Sequence, residues 1–146
     1  MKNNFRVLFI YPNAMMVTLV PIHFSLLSAC LKEKGFEVNV FDTTYYRTEE
    51  KSFDEKKVEF LQVKPFNYAE KGIFFKETDI YDDLIKKVSD FKPDLIGINL
   101  VEDTWELGQS LLEKIKGFGI PIIAGGVFAI LRPEEEMRVC TLSFPA

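Results

Sequence analysis

Apolar residues recur along this chain in two rhythms. Residues 36–41 form a short apolar stretch broken by Glu37 and Asn39, and 6–11, 94–100 and 120–124 are short runs with little polar interruption. A strand covered on both faces reads this way, because burial of both sides removes the apolar/polar alternation. Between the runs the spacing changes to three and four. Ile22, Leu26, Leu27, Cys30 and Leu31 share one helical face, as do Ile80, Leu84, Ile85, Val88 and Phe91, and then Leu107, Leu111 and Ile115. Cys30 reads as core on that face. Local signals agree with these limits. Pro12 stops the first strand and Pro21 suits a first helical turn. Lys34-Gly35 ends the first helix, and Asp42 closes the second strand. Asp79 can cap the next helix, with Asp82 in its first turn, and Lys92-Pro93 ends it. Asp103 or Thr104 caps the third helix, with Glu106 placed as in a capping box, and Gly117-Phe118-Gly119 ends it. Pro133 followed by Glu134, Glu135 and Glu136 predicts one more helix.

The order is strand, helix, strand, then an irregular stretch, then helix, strand, helix, strand, helix. Such alternation predicts an α/β fold, a flavodoxin-like (Rossmann-like) doubly wound parallel sheet. The expected strand order is 2-1-3-4, with the fifth strand missing or degenerate in the tail from about residue 138. The 146 residues fit a single domain, 1–146. Residues 43–79 read as an insertion with one helix near 52–62; its many aromatics make it too apolar for a solvated linker. In open sheets of this kind ligands sit outside the carboxyl ends of the strands, at the switch point. That places function on the loops 11–21, 99–104 and 125–130.

Composition narrows the ligand. The net charge of −4 argues against nucleic acid and anionic membrane surfaces, which need basic patches. No apolar run approaches the ~20 residues of a spanning helix. Two cysteines, Cys30 and Cys140, make no disulfide framework, and a cytoplasmic location is expected. A single histidine, His23, and no Cys-x-x-Cys argue against a zinc or iron–sulfur site built by this chain. His23 itself reads as a surface or capping residue at a helix start, beside the rim. After the first strand the chain reads Tyr11-Pro-Asn-Ala-Met-Met-Val, without glycine, so the dinucleotide fingerprint fails although Asp42 ends strand two.

The rim still carries candidate chemistry. Gly125-Gly126 follows an apolar strand. Paired glycines either admit a bulky ligand against the backbone or simply turn the chain. Asn99, Asp103 and Thr104 could hydrogen-bond a ligand. Capping accounts for one of the latter two, whereas Asn99 has no such explanation. Trp105 and Phe128 flank the rim as packing residues or as walls for a flat ligand.

Taken together, these segments resemble the cobalamin (vitamin B12)-binding domain at the N-terminus of many radical SAM enzymes. The matching pieces are Val7-Leu-Phe-Ile-Tyr-Pro12, Pro21 with Leu26-Leu27-Ser-Ala-Cys-Leu31, and Lys34-Gly-Phe-Glu-Val38 with Asp42. Phe91-Lys-Pro-Asp-Leu-Ile-Gly-Ile98, Pro121-Ile-Ile-Ala-Gly-Gly126 and Pro133-Glu134-Glu135 continue the series. The resemblance implies a corrin ring across the carboxyl edge of the sheet. It implies cofactor contacts from Pro12, Asn13, Thr18, Leu19, Val20, Asn99, Leu100, Val101, Asp103, Thr104, Gly125, Gly126, Val127 and Phe128. Family members that ligate cobalt carry Asp-x-His-x-x-Gly before the first helix. Here that segment falls on Thr18-Leu-Val-Pro-Ile-His23, with Val20 at the ligand position and His23 where glycine belongs. The expected cofactor is therefore base-off cobalamin without a protein histidine on cobalt. The iron–sulfur cluster and S-adenosylmethionine would belong to a radical SAM domain elsewhere in a parent enzyme, methyltransferase-like in its use of cobalamin, and this chain alone is not expected to be catalytic. An incomplete sheet edge would favour a homodimer. Two other readings stand beside this one: the N-terminal half of a two-domain glycosyltransferase, which also opens with an apolar strand, a proline loop and a leucine-rich helix, and a non-catalytic interaction module that docks through residues 43–79.

Overall fold

The computed structural model describes residues 5–15, 21–127 and 142–143. The expected last helix from Pro133, Cys140 and four candidate ligand contacts (Thr18, Leu19, Val20 and Phe128) lie outside the described residues.

Four strands form the sheet's body: β1 (Arg6–Tyr11), β2 (Glu37–Asp42), β3 (Leu95–Asn99) and β4 (Ile122–Gly125). A two-residue β5 (Leu142–Ser143) pairs with β4, so the degenerate fifth strand is present at the edge. All pairings are parallel and the order is β2-β1-β3-β4-β5. The chain thus forms the α/β Rossmann-like fold with the 2-1-3-4 order that its pattern predicts. The switch point lies between β1 and β3, because the chain leaves β1 toward β2 on one side and β3 toward β4 on the other.

The helices are α1 (Ile22–Glu33), α2 (Phe53–Glu59), α3 (Ile80–Phe91) and α4 (Trp105–Ile115). α2 falls inside the stretch where one helix is expected. It starts at Ser52, whose hydroxyl accepts from Glu55 N while the Glu55 carboxylate accepts from Ser52 N, a reciprocal capping box. α3 starts as expected: the Asp79 carboxylate accepts from Tyr81 N and Asp82 N. The helix closes at Lys92 in the left-handed region, φ 49°, before Pro93.

Alternate residues of β1 feed two cores. Leu8 and Ile10 join Leu84, Val88, Ile96, Ile98, Leu111, Leu112 and Ile115, so α3 and α4 cover one face. Val7, Phe9 and Tyr11 join Phe24 of α1 on the other. The first core is the larger and is fully buried at its centre.

Two expectations about helix faces fail. The stripe Ile22, Leu26, Leu27 and Cys30 does not form core: Ile22 is 71% exposed, Leu26 65% and Leu27 48%, and Cys30 is also exposed. Phe24, two residues off the stripe, is the buried residue of α1, stacked 5.0 Å from the Phe9 ring. A single large ring reaching the sheet outweighs several aliphatic side chains in setting which face turns inward. The capping box expected at Asp103 and Glu106 is also absent. The chain instead makes a short 3₁₀ turn over Glu102–Thr104, and the Thr104 hydroxyl lies 3.3 Å from both Val101 N and Val101 O. Asp103 is left exposed.

Candidate functional site

The carboxyl ends of β1, β3 and β4 meet where the switch-point rule expects a ligand, and the start of α1 joins them. Asn99 ends β3 directly beside Gly125 of β4. Leu100 N donates to Gly125 O at 2.9 Å, which carries the pairing one residue past the strand.

The two glycines have different tasks. Gly126 adopts φ +110°, and a Cβ there would stand 2.2 Å from Asn99 Oδ1 and 2.6 Å from Leu100 O. Only glycine fits so close to a backbone oxygen in that conformation. Gly126 therefore seats Asn99. Gly125 is the opposite case: a Cβ added there meets nothing within 4 Å. Among the described residues the strand end is open at Gly125, with Val101 and Val127 following adjacent strands as exposed apolar side chains, 39% and 60% accessible. Among the described residues this strand end is poor in side chains, apolar, and flanked by one amide, that of Asn99.

That amide is held from α1. Asn99 Nδ2 lies 3.1 Å from His23 Nε2. With the amide nitrogen donating, Nε2 accepts, which fixes the neutral imidazole with its proton on Nδ1. Burial lowers the His23 pKa from its usual value, consistent with the neutral form. The ring is wedged against Phe24, centroids 4.4 Å apart, and approaches the Tyr11 ring edge-on at 6.0 Å. His23 is an exposed residue at the helix start, as its position implies, and it also meets Asn99. Its placement at the rim follows from the fold's topology, but its pairing with Asn99 is a contact between residues 76 apart that no local pattern announces.

The loop after β1 is held by threonines. The Thr43 hydroxyl accepts from Asn13 N at 2.7 Å and lies within donating distance of Tyr11 O and Asn13 O, 3.2 and 3.1 Å. Asn13 Nδ2 donates to the Thr44 hydroxyl at 2.8 Å, and that hydroxyl donates to Asp42 at 2.5 Å. Asn13 is fully buried. It ties the loop down, and the Asp42 carboxylate accepts from Thr44 N and the Thr44 hydroxyl.

The expected contact residues therefore divide. The structure brings together Asn99, Val101, Gly125, Gly126 and Val127 at one rim, with Pro12 buried beneath the loop that follows β1. It keeps Leu100 and Thr104 inside. Leu100 is fully buried against α4, so closely that a Cβ on Gly108 would meet its Cδ2 at 2.2 Å. Thr104 is 4% exposed, its hydroxyl turned to Val101. Asp103 is exposed and lines a hollow with Ala14, Glu106 and Ser110 at the head of α4. Among the described residues no group of His, Cys, Asp and Glu side chains forms a metal site, and no helix is long and apolar enough to cross a membrane.

No protein-family model matches the chain, and no curated protein sequence matches it significantly. Solved structures do match its fold. One is the radical S-adenosylmethionine methyltransferase TsrM from Kitasatospora setae with tryptophan substrate and a SAM analog bound. The likeness to it has a TM-score of 0.61 at 18% identity, over 88% of this chain and 20% of that one. A second structure of TsrM, with cobalamin and a 4Fe-4S cluster bound, gives a TM-score of 0.61 at 18% identity over 89% of this chain and 21% of that one. At this identity the likeness shows the fold. The chain spans about a fifth of the length of the enzyme it matches.

Proposed function

We propose that this chain is a cobalamin-binding domain, working in the cytoplasm as part of a larger radical SAM enzyme of methyltransferase type. The observation that carries the reading is the strand end at Gly125: at the carboxyl edge of a parallel sheet, no atom of the described residues lies within 4 Å of a Cβ there, and one amide stands beside it. A flat macrocycle with peripheral amides needs both a close approach to backbone and a few placed polar partners. The fold likeness to a structure with cobalamin bound, across 89% of this chain, supports the same conclusion.

Gly125, Val101 and Val127 would hold the face of the corrin, and Asn99 would meet one of its amides. His23 keeps Asn99 oriented, and Gly126 gives Asn99 the room to sit there. When bound, cobalamin supplies a cobalt that carries a methyl group or passes electrons. In this reading His23 is not a cobalt ligand, because its Nε2 already accepts from Asn99. The bound form is then base-off, with no protein imidazole on the metal. The iron–sulfur cluster and S-adenosylmethionine belong to the partner domain of the parent enzyme, and the catalytic step to that whole protein. A homodimer through the sheet edge at the short β5 remains part of the proposal.

The test is a spectral titration of the purified chain with methylcobalamin. The expected result is a one-to-one complex with the base-off spectrum, unchanged in form by His23→Ala. A base-on spectrum, or a cobalt spectrum that changes with His23, would overturn the ligation. Stabilisation by a UDP-sugar and not by cobalamin would favour the glycosyltransferase reading.

A further inference from the structure

α1 is apolar on two opposite sides. Phe24 and Leu31 pack toward the sheet. Half a turn away, the 3.6-residue period places Ile22, Leu26, Ala29 and Glu33 on one outer stripe. Ile22 is 71% and Leu26 65% exposed, and Ala29 and Glu33 are exposed beside them. From Ile22 to Leu31 the chain holds no Asp, Glu, Lys or Arg. The helices on the other face of the sheet are different. α3 exposes Asp82, Lys86 and Asp90, and α4 exposes Glu106, Glu113 and Lys114. A helix that is apolar all round belongs in an interior, and a contiguous exposed apolar surface marks a place of interaction.

Two properties of α1 fit a second copy of itself. The stripe from Ile22 to Ala29 carries no charge, so it can meet its own image across a two-fold axis without like-charge repulsion. The two ends of the helix are complementary. No side chain caps the start of α1 and no acid stands in its first turn, so the positive end of the helix dipole is uncompensated. Glu33 stands in the last turn, where its own dipole disfavours a carboxylate. An antiparallel pair with full overlap sets Ile22 level with Glu33 of the second copy. Each Glu33 then reaches the bare start of the other helix. The same overlap sets Leu26 level with Ala29 of the second copy, a large side chain against a small one, as interdigitated packing requires.

We propose that α1 pairs antiparallel with α1 of a second copy of this chain through Ile22, Leu26, Ala29 and Glu33. This surface is separate from the rim and from the edge at β5, and the inference stands or falls separately from cobalamin binding. A helix of this length spans about 18 Å, and such a contact is smaller than the ~800 Å² per partner of a stable interface. The dimer is therefore weak and reversible, with a Kd on the order of 100 µM, and in dilute solution the chain is a monomer.

The test is sedimentation equilibrium of the purified full chain from about 10 µM to about 1 mM, a range that brackets this Kd. The expected result is a monomer–dimer equilibrium, with the mean mass rising toward twice that of the chain. Leu26→Lys should leave the fold intact, checked by its unfolding curve in dilute solution, and remain monomeric throughout. Glu33→Lys leaves the apolar residues untouched, but it reverses the charge at two symmetric helix starts and should weaken the dimer by about threefold or more. Non-specific apolar association would not respond to that change. A chain that stays monomeric at the highest concentration would overturn the proposal. So would a dimer that persists in Leu26→Lys, which belongs to another surface such as the β5 edge, or association that Glu33→Lys leaves unchanged.

Discussion

Replacing Gly126 by alanine should damage this protein far more than the same change one residue earlier. At 126 the new methyl would stand 2.6 Å from Leu100 O and 2.2 Å from Asn99 Oδ1, at φ +110°. The Asn99 amide can swing aside, at the loss of its bond to His23. The Leu100 carbonyl is backbone beside the β3–β4 pairing and cannot move without pulling Leu100 out of the core. The unfavourable φ costs about 1–3 kcal/mol and the displaced backbone adds a similar amount, so we expect a total of about 2–6 kcal/mol. For a chain of this length that corresponds to a fall in Tm of roughly 6–20 °C. At 125 the added methyl meets nothing, and exchanging glycine for alanine restrains the unfolded chain. Gly125→Ala should therefore be neutral, or stabilise by up to about 0.5 kcal/mol. The assay is urea unfolding of both variants beside the parent chain. A Gly126→Ala variant within about 0.5 kcal/mol of the parent, or a Gly125→Ala variant more than about 1 kcal/mol less stable, would refute this division of labour.

Other parts of the fold give further expectations. Leu111→Ala, at a fully buried position between α4 and the sheet, should cost about 2–5 kcal/mol by denaturant unfolding. Leu26→Lys, on the exposed stripe of α1, should change stability by less than about 0.5 kcal/mol in the same assay. The pH dependence of His23 has a definite sign. Its folded pKa lies below the unfolded value of 6.5, so the unfolded chain binds the proton first and stability falls as pH drops below about 6.5 toward the folded value. His23→Gln should remove that component between pH 7 and 5, measured as the difference between the two unfolding profiles. Asp83 behaves as a hydrogen-bonded carboxylate, its pKa lowered first by Thr78 and then by Tyr46. Its contribution is present above its ordinary value of 3.8 and is lost as pH falls through the lower folded value, and Asp83→Asn should flatten the acid limb of the stability profile.

Periodicity made the body of this fold readable. Four apolar runs became the four principal strands, and Asp79 caps α3 as its position implies. What failed were choices that depend on distant partners. The α1 stripe has correct helical spacing, but spacing does not say which face the sheet will meet, and the Phe24 ring decided it. Thr104 was readable as a polar residue at a helix start, yet its hydroxyl turned back to Val101 and left the Asp103 capping box unmade. At the rim, Asn99 and the glycine pair were legible because strand ends and glycines are local features. The roles of the two glycines were not, because they depend on what each would strike across the β3–β4 pairing. The Asn99–His23 contact joins segments far apart in sequence, and a single chain carries no signal for it.

The most direct measurement is a titration with hydroxocobalamin of the parent chain and of Gly125→Leu, followed by the cobalamin absorption spectrum, with unfolding curves run on both proteins. A Cβ at 125 meets no described atom within 4 Å, and a leucine side chain there would project over the floor on which the corrin is proposed to lie. The expected result is a variant that still unfolds cooperatively, stoichiometric binding by the parent chain, and a loss of at least tenfold in affinity for the variant. Equal affinity in the two proteins, or no binding by the folded parent chain, would contradict it.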